Sequence, residues 1–445
     1  MRFEVVDFNG KSLSKTVPAR HAGDPVDLYS GAISMGANAR VQCFPEKVRD
    51  GCPNWRLRPD WATLQRLPWA SSPERDVFRV CCEQATAPTP RFVCRGALDA
   101  LRLDHGLELL AASELEFVVA ERSEKRPLFD GVDIFATLQL AKTDFAYAVA
   151  ETMATVGVDV RTMNCEYGAG MLRCPHFHRI CAESRDSNEF RTGQLEITFK
   201  PKRGLAAADC AHTFKTGVKE LAMRRGLAAT FASKPFGGPR GVGNGGHLNV
   251  SLWRGEDPAT GGDEDGLSTT ARHFIAGILA HARGLEALAA PTPGCYSRHG
   301  NWAPTHANWG HDDRNVCIRV KSRRCAPGEA YVEYRAPSSA ANTYLVLAGV
   351  AAAGADGVKR ELVLPAAKDD EAVLLPTSLP EALAALRADD VLVGALGNDF
   401  VEWYDLVKRA ELADVAANTA RFAATGMDHD AAVQEAWNSL YFEFV

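Results

Sequence analysis

The chain has 445 residues, 46% hydrophobic and 24% charged, a balance that sets it among globular rather than disordered proteins and allows a large core. Its net charge of -6 and the absence of a basic stripe argue against nucleic acid as a partner. No apolar run approaches the ~20 residues of a membrane span, and the opening MRFEVVDFNGK lacks the apolar stretch of a secretory signal.

Residues 1–95 alternate short apolar runs with Pro/Gly turns. RFEVVDF, the segment around ANARVQCF, and DVFRVCCEQA are predicted strands of a small β-rich domain. TPRFVCRGALDALRLDHG then reads as an amphipathic helix, SELEFVVAER as a strand, and FATLQLAKTDFAYAVAETMATVG as one long helix ended by Gly157. VDVRTMNCEYG and QLEITFK are predicted strands. AAADCAHTFKTGVKELAMRRG is a helix with Gly226 as its cap. HLNVSLW is a strand, and TTARHFIAGILAHARGLEALAA and the stretch near AANTYLVLAGVAAAGADG are helices. The C-terminal part is mostly helical, with breaks at Pro365, Pro376 and Pro380. The class is α+β, with strands carrying carboxylates and helices behind them. The 12 cysteines are scattered and mostly in apolar contexts, and in a chain of this length they read as reduced thiols of a cytoplasmic protein.

The strands carry the chemistry. Glu114 and Glu116, two apart in SELEF, point to one face of a strand. An isolated pair of this kind most often marks a solvated edge. Here Glu166 in NCEYG, Glu196 in QLEITF and Glu333 in YVEYR repeat the theme, and His247 begins a strand after glycines. Acids that share an interior face are tolerated when cations sit between them. Oxygen-rich ligation suits Mg²⁺ or Mn²⁺, ions that bridge ATP phosphates in phosphoryl transfer. Arg298, Arg314, Arg319 and Arg335 supply forked donors for phosphate or carboxylate oxygens. Gly241, Gly243 and Gly246 satisfy G-x-G-x-x-G, but a dinucleotide fingerprint needs a strand before it and a helix after it. Here a Pro/Gly-rich loop precedes and a strand follows, so the glycines read as room for backbone to approach a ligand.

In order, the chain shows E-x-E, E-Y-G-A-G, G-Q-x-E, K-P with a Gly-rich loop and His, R-N-x-x-I-R, and E-x-R. This series resembles the glutamine synthetase catalytic domain over residues 105–445, and residues 1–95 resemble that superfamily's N-terminal β-grasp domain. FDGVDIF, EYGAG…QLEITF and NWG…DRN are most similar to lengsin, the lens protein of this fold. The resemblance implies a curved antiparallel sheet backed by helices. It implies one metal held by Glu116, Glu166 and Glu196, and a second by Glu114, His247 and Glu333. Arg319 and Arg335 would face phosphate, and Arg298 and Arg314 phosphate or an amino-acid carboxylate. Gly243 would lie near the amino acid and Ser251 near the nucleotide. The implied activity is an ATP- and Mg²⁺- or Mn²⁺-dependent carboxylate–amine ligase, with glutamate phosphorylated and then attacked by ammonia or an amine. The implied assembly is a decameric or dodecameric homo-oligomer. The alternative is a lengsin-like non-catalytic scaffold that keeps the metal and nucleotide site.

The departures from the family pattern concern ammonium. Its acidic D-G-S-S loop falls near SGAISMG, which has no acid, and the flap Glu before Ala-Pro is Trp302. The second His of H-x-H is Asn249, the Asn before the Gly-rich turn is Val242, and an Arg before E-x-R is Tyr331. Residues 171–193 are inserted between Gly170 and Gln194. They read as a lineage-specific loop or as an artefact of gene prediction, or else Glu189 takes the place of Glu166; GVDVRTMNCEYG favours Glu166. Cys174, His176, His178 and Cys181 in the insert are tightly spaced for structural zinc, and a solvated loop is the plainer reading.

Overall fold

The computed structural model describes residues 1–49, 51–84, 87–129, 134–166, 193–236, 243–262, 265–322, 329–369 and 371–445. The inserted residues 171–192, with Glu189 and the Cys/His group, and Gly241 and Val242 lie outside them.

Two sheets organise the chain. The N-terminal sheet has five strands in the spatial order Ser12–Thr16, Arg2–Val6, Phe78–Gln84, Asn54–Arg66, Asp27–Tyr29. Arg2–Val6 and Phe78–Gln84 run parallel, and the other pairs are antiparallel. This is the arrangement expected of a β-grasp-like region. The segment around ANARVQCF is not one of its strands. Residues Ser30–Ser34 form a 3-10 helix, and the chain then folds back on itself, with Gly36 N–H donating to the Val41 carbonyl. Asn38 wins locally, because its side-chain oxygen accepts the Arg40 N–H and fixes a turn. Asn54–Arg66, the longest strand here, was not foreseen; its mixed burial hides the alternation.

The second sheet is built on Glu108–Glu121. Gly246–Arg254 and Gln194–Phe199 pair with it on either side, both antiparallel. Beyond them lie Val160–Cys165 on one flank, and Tyr331–Tyr334, Ile318–Lys321 and Trp309–His311 on the other. Leu109, Ala111, Leu115, Phe117 and Val119 point to the core face, where helices cover them. The helix Leu205–Arg224 packs Phe214 against Phe117 and Phe199. The helix Thr343–Lys359 and the C-terminal helices Leu379–Arg387, Asp390–Leu396, Asn398–Ala423 and His429–Tyr441 complete the layer. Phe8, just past the strand Arg2–Val6, packs on Phe400 and Tyr404.

Two expected helices are broken. The predicted helix through Gly157 is the short turn Thr137–Leu140 followed by Phe145–Ala154. Thr143 Oγ1 accepts the Phe145 N–H, so the segment starts a helix instead of continuing one. Gly157, at φ +74°, still turns the chain after it. The predicted helix over 269–290 divides into Thr269–Ala280 and Ala282–Ala289 at His281, whose ring is held between Asp356 and Asp389. No helix among the described residues is long and apolar enough to cross a membrane.

Candidate active site

Strand alternation and register build the site. Glu114 and Glu116 lie on the face of Glu108–Glu121 opposite the core. In-register neighbours share a face. His247 is opposite Glu114, Glu196 opposite Glu116, and Asn164 opposite Glu196. On the far flank, Asn249 is opposite Glu333, and Glu333 opposite Arg319. Six strands therefore present their polar residues to one side without any long loop having to do so.

One ligand atom each from Glu114, His247 and Glu333 lies within 4.8 Å of the others, the spacing of a three-residue metal site. His247 Nδ1 is 3.4 Å from Glu114 and 3.5 Å from Glu333. Desolvation, and Arg335 nearby, hold the imidazole below its ordinary value, which favours the form with a lone pair to offer. Desolvation opposes ionisation of Glu114 and Glu333, yet His247 and nearby cations outweigh it and both carboxyls sit below the usual range. The Asn249 side chain donates to Glu114 at 3.5 Å, while its Oδ1 is buried without a donor. Two carboxylates, an imidazole and an orphaned amide oxygen are a donor set suited to a divalent cation.

The second group has a different character. Desolvation pushes Glu116 up to about 8 against the Gly245 N–H that it accepts, and Glu166 and Glu114 add repulsion. Glu196 goes up to about 9, through desolvation first and then Glu114, Glu116 and Glu166. Among the described residues, no lysine or arginine forms an ion pair with Glu116 or Glu196. Gln194 Nε2 bridges Glu116 and Asn244, at 3.1 and 2.8 Å. The Glu166 N–H donates to the Gln194 carbonyl at 3.1 Å, which seats Glu166 beside Glu196. Arg298 offsets Glu116 in part, whereas Glu333 of the first group has cations in direct contact.

Arginines border the first group. Glu333, 1% exposed, accepts from Arg335, from Arg319 at 3.1 Å and from Lys321 at 2.9 Å. Arg335 also donates to the Arg314 and Trp302 carbonyls. Arg319 Nε is buried with no hydrogen-bond partner. Arg298 is buried, and a Cβ on Gly243 would come within 2.6 Å of its Cγ, so only glycine fits there. Arg314 has an exposed side chain and contributes its carbonyl. Ser251 accepts from Trp253 and lines a cleft of about 360 Å³ with Leu110, Glu114, Phe199 and Tyr331. Trp302 is 46% exposed at φ +61°, and Ser30, Gly31, Ile33 and Ser34 of the acid-free loop are buried. Lys321, Gln194 and Asn244 escaped the sequence reading. Lys321 alternates with Arg319 as Glu116 does with Glu114, which is the signal that could have found it.

The family profile "Glutamine synthetase, catalytic domain" matches residues 87–425. The chain belongs to the glutamine synthetase family. The glutamine synthetase of Methanocaldococcus jannaschii is 31% identical to this family member, over 80% of this chain and 79% of that protein. That of Thermus thermophilus is 34% identical, over 80% and 81%. Human lengsin is 28% identical over 95% of this chain and 82% of its own. The similarity thus embraces lengsin and the synthetases alike. Among solved structures, a "novel glutamine synthase homolog" superposes with a TM-score of 0.79 at 25% identity, covering 99% of this chain and 98% of that one. A GmaS/ADP complex gives 0.76 at 26% identity, covering 94% and 93%.

Proposed function

We propose that this glutamine synthetase family member is an ATP-dependent carboxylate–amine ligase that uses Mg²⁺ or Mn²⁺, with an amine larger than ammonia as its second substrate. The convergence of Glu114, His247 and Glu333 within 4.8 Å, beside a cleft, carries this reading. Glu114, His247 and Glu333 would hold one metal, and Glu116, Glu166 and Glu196 another. Bound there, the metals would screen charge on the transferred phosphoryl group. Leu110, Phe199 and Tyr331 form apolar walls suited to a base, and Ser251 supplies a polar atom. Arg319, with its unpartnered Nε–H, and Arg335 are suited to phosphate, and Arg298 and Arg314 to phosphate or the amino-acid carboxylate. Gly243 allows backbone to lie against the amino acid.

In this scheme the carboxylate of glutamate attacks the γ-phosphorus and ADP leaves. The amine then forms the C–N bond as the C–O bond to phosphate breaks, and its proton passes to solvent. The family's ammonium-binding acids are replaced by SGAISMG and Trp302, and an exposed indole suits an alkyl amine better than ammonium. Residues 1–95 and 105–445 would act as separate domains of a cytoplasmic homo-oligomer, decameric or dodecameric.

The test is Mn²⁺-dependent ADP binding, followed by phosphate release with ATP, glutamate and a panel of amines. Binding with amine-stimulated phosphate release supports the ligase. Binding without turnover on any amine selects the lengsin-like scaffold. Absence of Mn²⁺-linked nucleotide binding defeats both.

A further inference from the structure

Cations crowd the buried Glu333 carboxylate, which accepts from Arg319, Lys321 and Arg335. Asp312, 3.8 Å from Arg319, and Glu114, beside Glu333, share in their neutralisation. The three cations differ in freedom. Arg335 is 5% exposed and tied to two backbone carbonyls, and Arg319 is 11% exposed. Lys321 is 20% exposed, ends its strand and reaches Glu333 on a flexible four-carbon stem. Its ammonium lies 5.2 Å from the centre of the Tyr331 ring, its in-register neighbour, and Tyr331 lines the cleft. The ammonium also stabilises the ionised form of Glu114. Lys321 therefore touches a carboxylate of the metal group, Glu333, and the ring of Tyr331, a residue of the cleft wall.

Resting on the ligase reading above, we propose that Lys321 is a phosphate-binding residue that exchanges partners. Before a metal binds, its ammonium neutralises Glu333. When a divalent cation takes Glu333 together with Glu114 and His247, the ammonium is displaced and turns to the phosphate oxygens of a nucleoside di- or triphosphate in the cleft. The residue thus competes with the metal and cooperates with the nucleotide. A lysine serves here because a point charge on a rotatable stem can move, whereas a bidentate arginine fork is set in one geometry.

The two roles have opposite signs, which a structural role would not produce. Isothermal calorimetry on the full chain, with Mn²⁺ alone and with ADP at saturating Mn²⁺, reads both. Lys321→Met is expected to tighten Mn²⁺ binding severalfold and to weaken ADP binding at least tenfold, the loss typical of one charge-assisted hydrogen bond. Lys321→Arg is expected to recover most of the ADP affinity. Melting of each metal-free variant checks that it is folded, and a variant that fails to fold while Lys321→Arg binds like the parent overturns the exchange. Parallel losses of Mn²⁺ and ADP affinity, or no change in either, also overturn it. A parent protein that binds no ADP with Mn²⁺ sinks the ligase reading itself. A parent that binds ADP, with a Met variant that binds it equally well, sinks only the role of Lys321.

Discussion

Glu196 offers the sharpest test of the carboxylate group, because its replacement should stabilise the protein while removing its function. The Glu196 carboxyl is pushed up to about 9, first by desolvation and then by Glu114, Glu116 and Glu166, from 4.5 in a free chain. A carboxyl raised on folding contributes stability that is complete below its unfolded value and is lost as pH rises through its folded value. At pH 8 the folded protein holds a proton that the unfolded chain has released. At ~1.4 kcal/mol per pH unit over about 3.5 units, the ceiling on this cost is about 5 kcal/mol. Neighbouring acids relax once one of them is neutral, so roughly 2 kcal/mol, or about 2 °C in melting temperature for a chain of this length, is the expected gain from Glu196→Gln at pH 8. The gain should shrink towards pH 5. With excess Mn²⁺ the order should invert, since the parent gains stability by mass action and the variant has lost a ligand. Thermal denaturation in EDTA and in Mn²⁺, at pH 5, 6.5 and 8, measures all of this. A Gln variant that melts below the parent in EDTA at pH 8, or one that keeps the full Mn²⁺ shift, would refute the reasoning.

Other substitutions separate the parts of the site. Glu333→Ala leaves Arg319, Lys321 and Arg335 without their common carboxylate, and should cost about 3–5 kcal/mol in urea unfolding as well as abolish Mn²⁺-linked ADP binding; unchanged binding counts against the assignment. Trp302→Ala should alter the ranking of amines by kcat/KM and leave ADP affinity unchanged, and an unaltered ranking would remove Trp302 from the amine pocket. Gly243→Ala brings a Cβ within 2.6 Å of the Ser233 carbonyl and of Arg298 Cγ, and should cost about 1–3 kcal/mol of stability, read as a lower melting temperature; an unshifted melt would show that the backbone has room there.

How much of this was legible beforehand differs by element. SELEF and QLEITF could be assigned because side chains alternate along a strand whatever surrounds it, so one look at the residues separates the core face from the acid face. The ordered motifs named the family for the same reason: they need only sequence. Breaks within helices were less visible. Thr143 and His281 interrupt helical periodicity through a local side-chain hydrogen bond in one case and two aspartates distant in sequence in the other.

The sequence alone determined which residues carry charge, which face of each strand they occupy and which family they belong to, since these follow from local alternation and order along the chain. Only the tertiary structure decided that Glu333 lies in direct contact with three cations while Glu116 and Glu196 face other acids, with Arg298 offsetting Glu116 in part. That difference rests on which strands are neighbours and in what register, and electrostatic energy depends on distances between groups that the chain brings together from far apart.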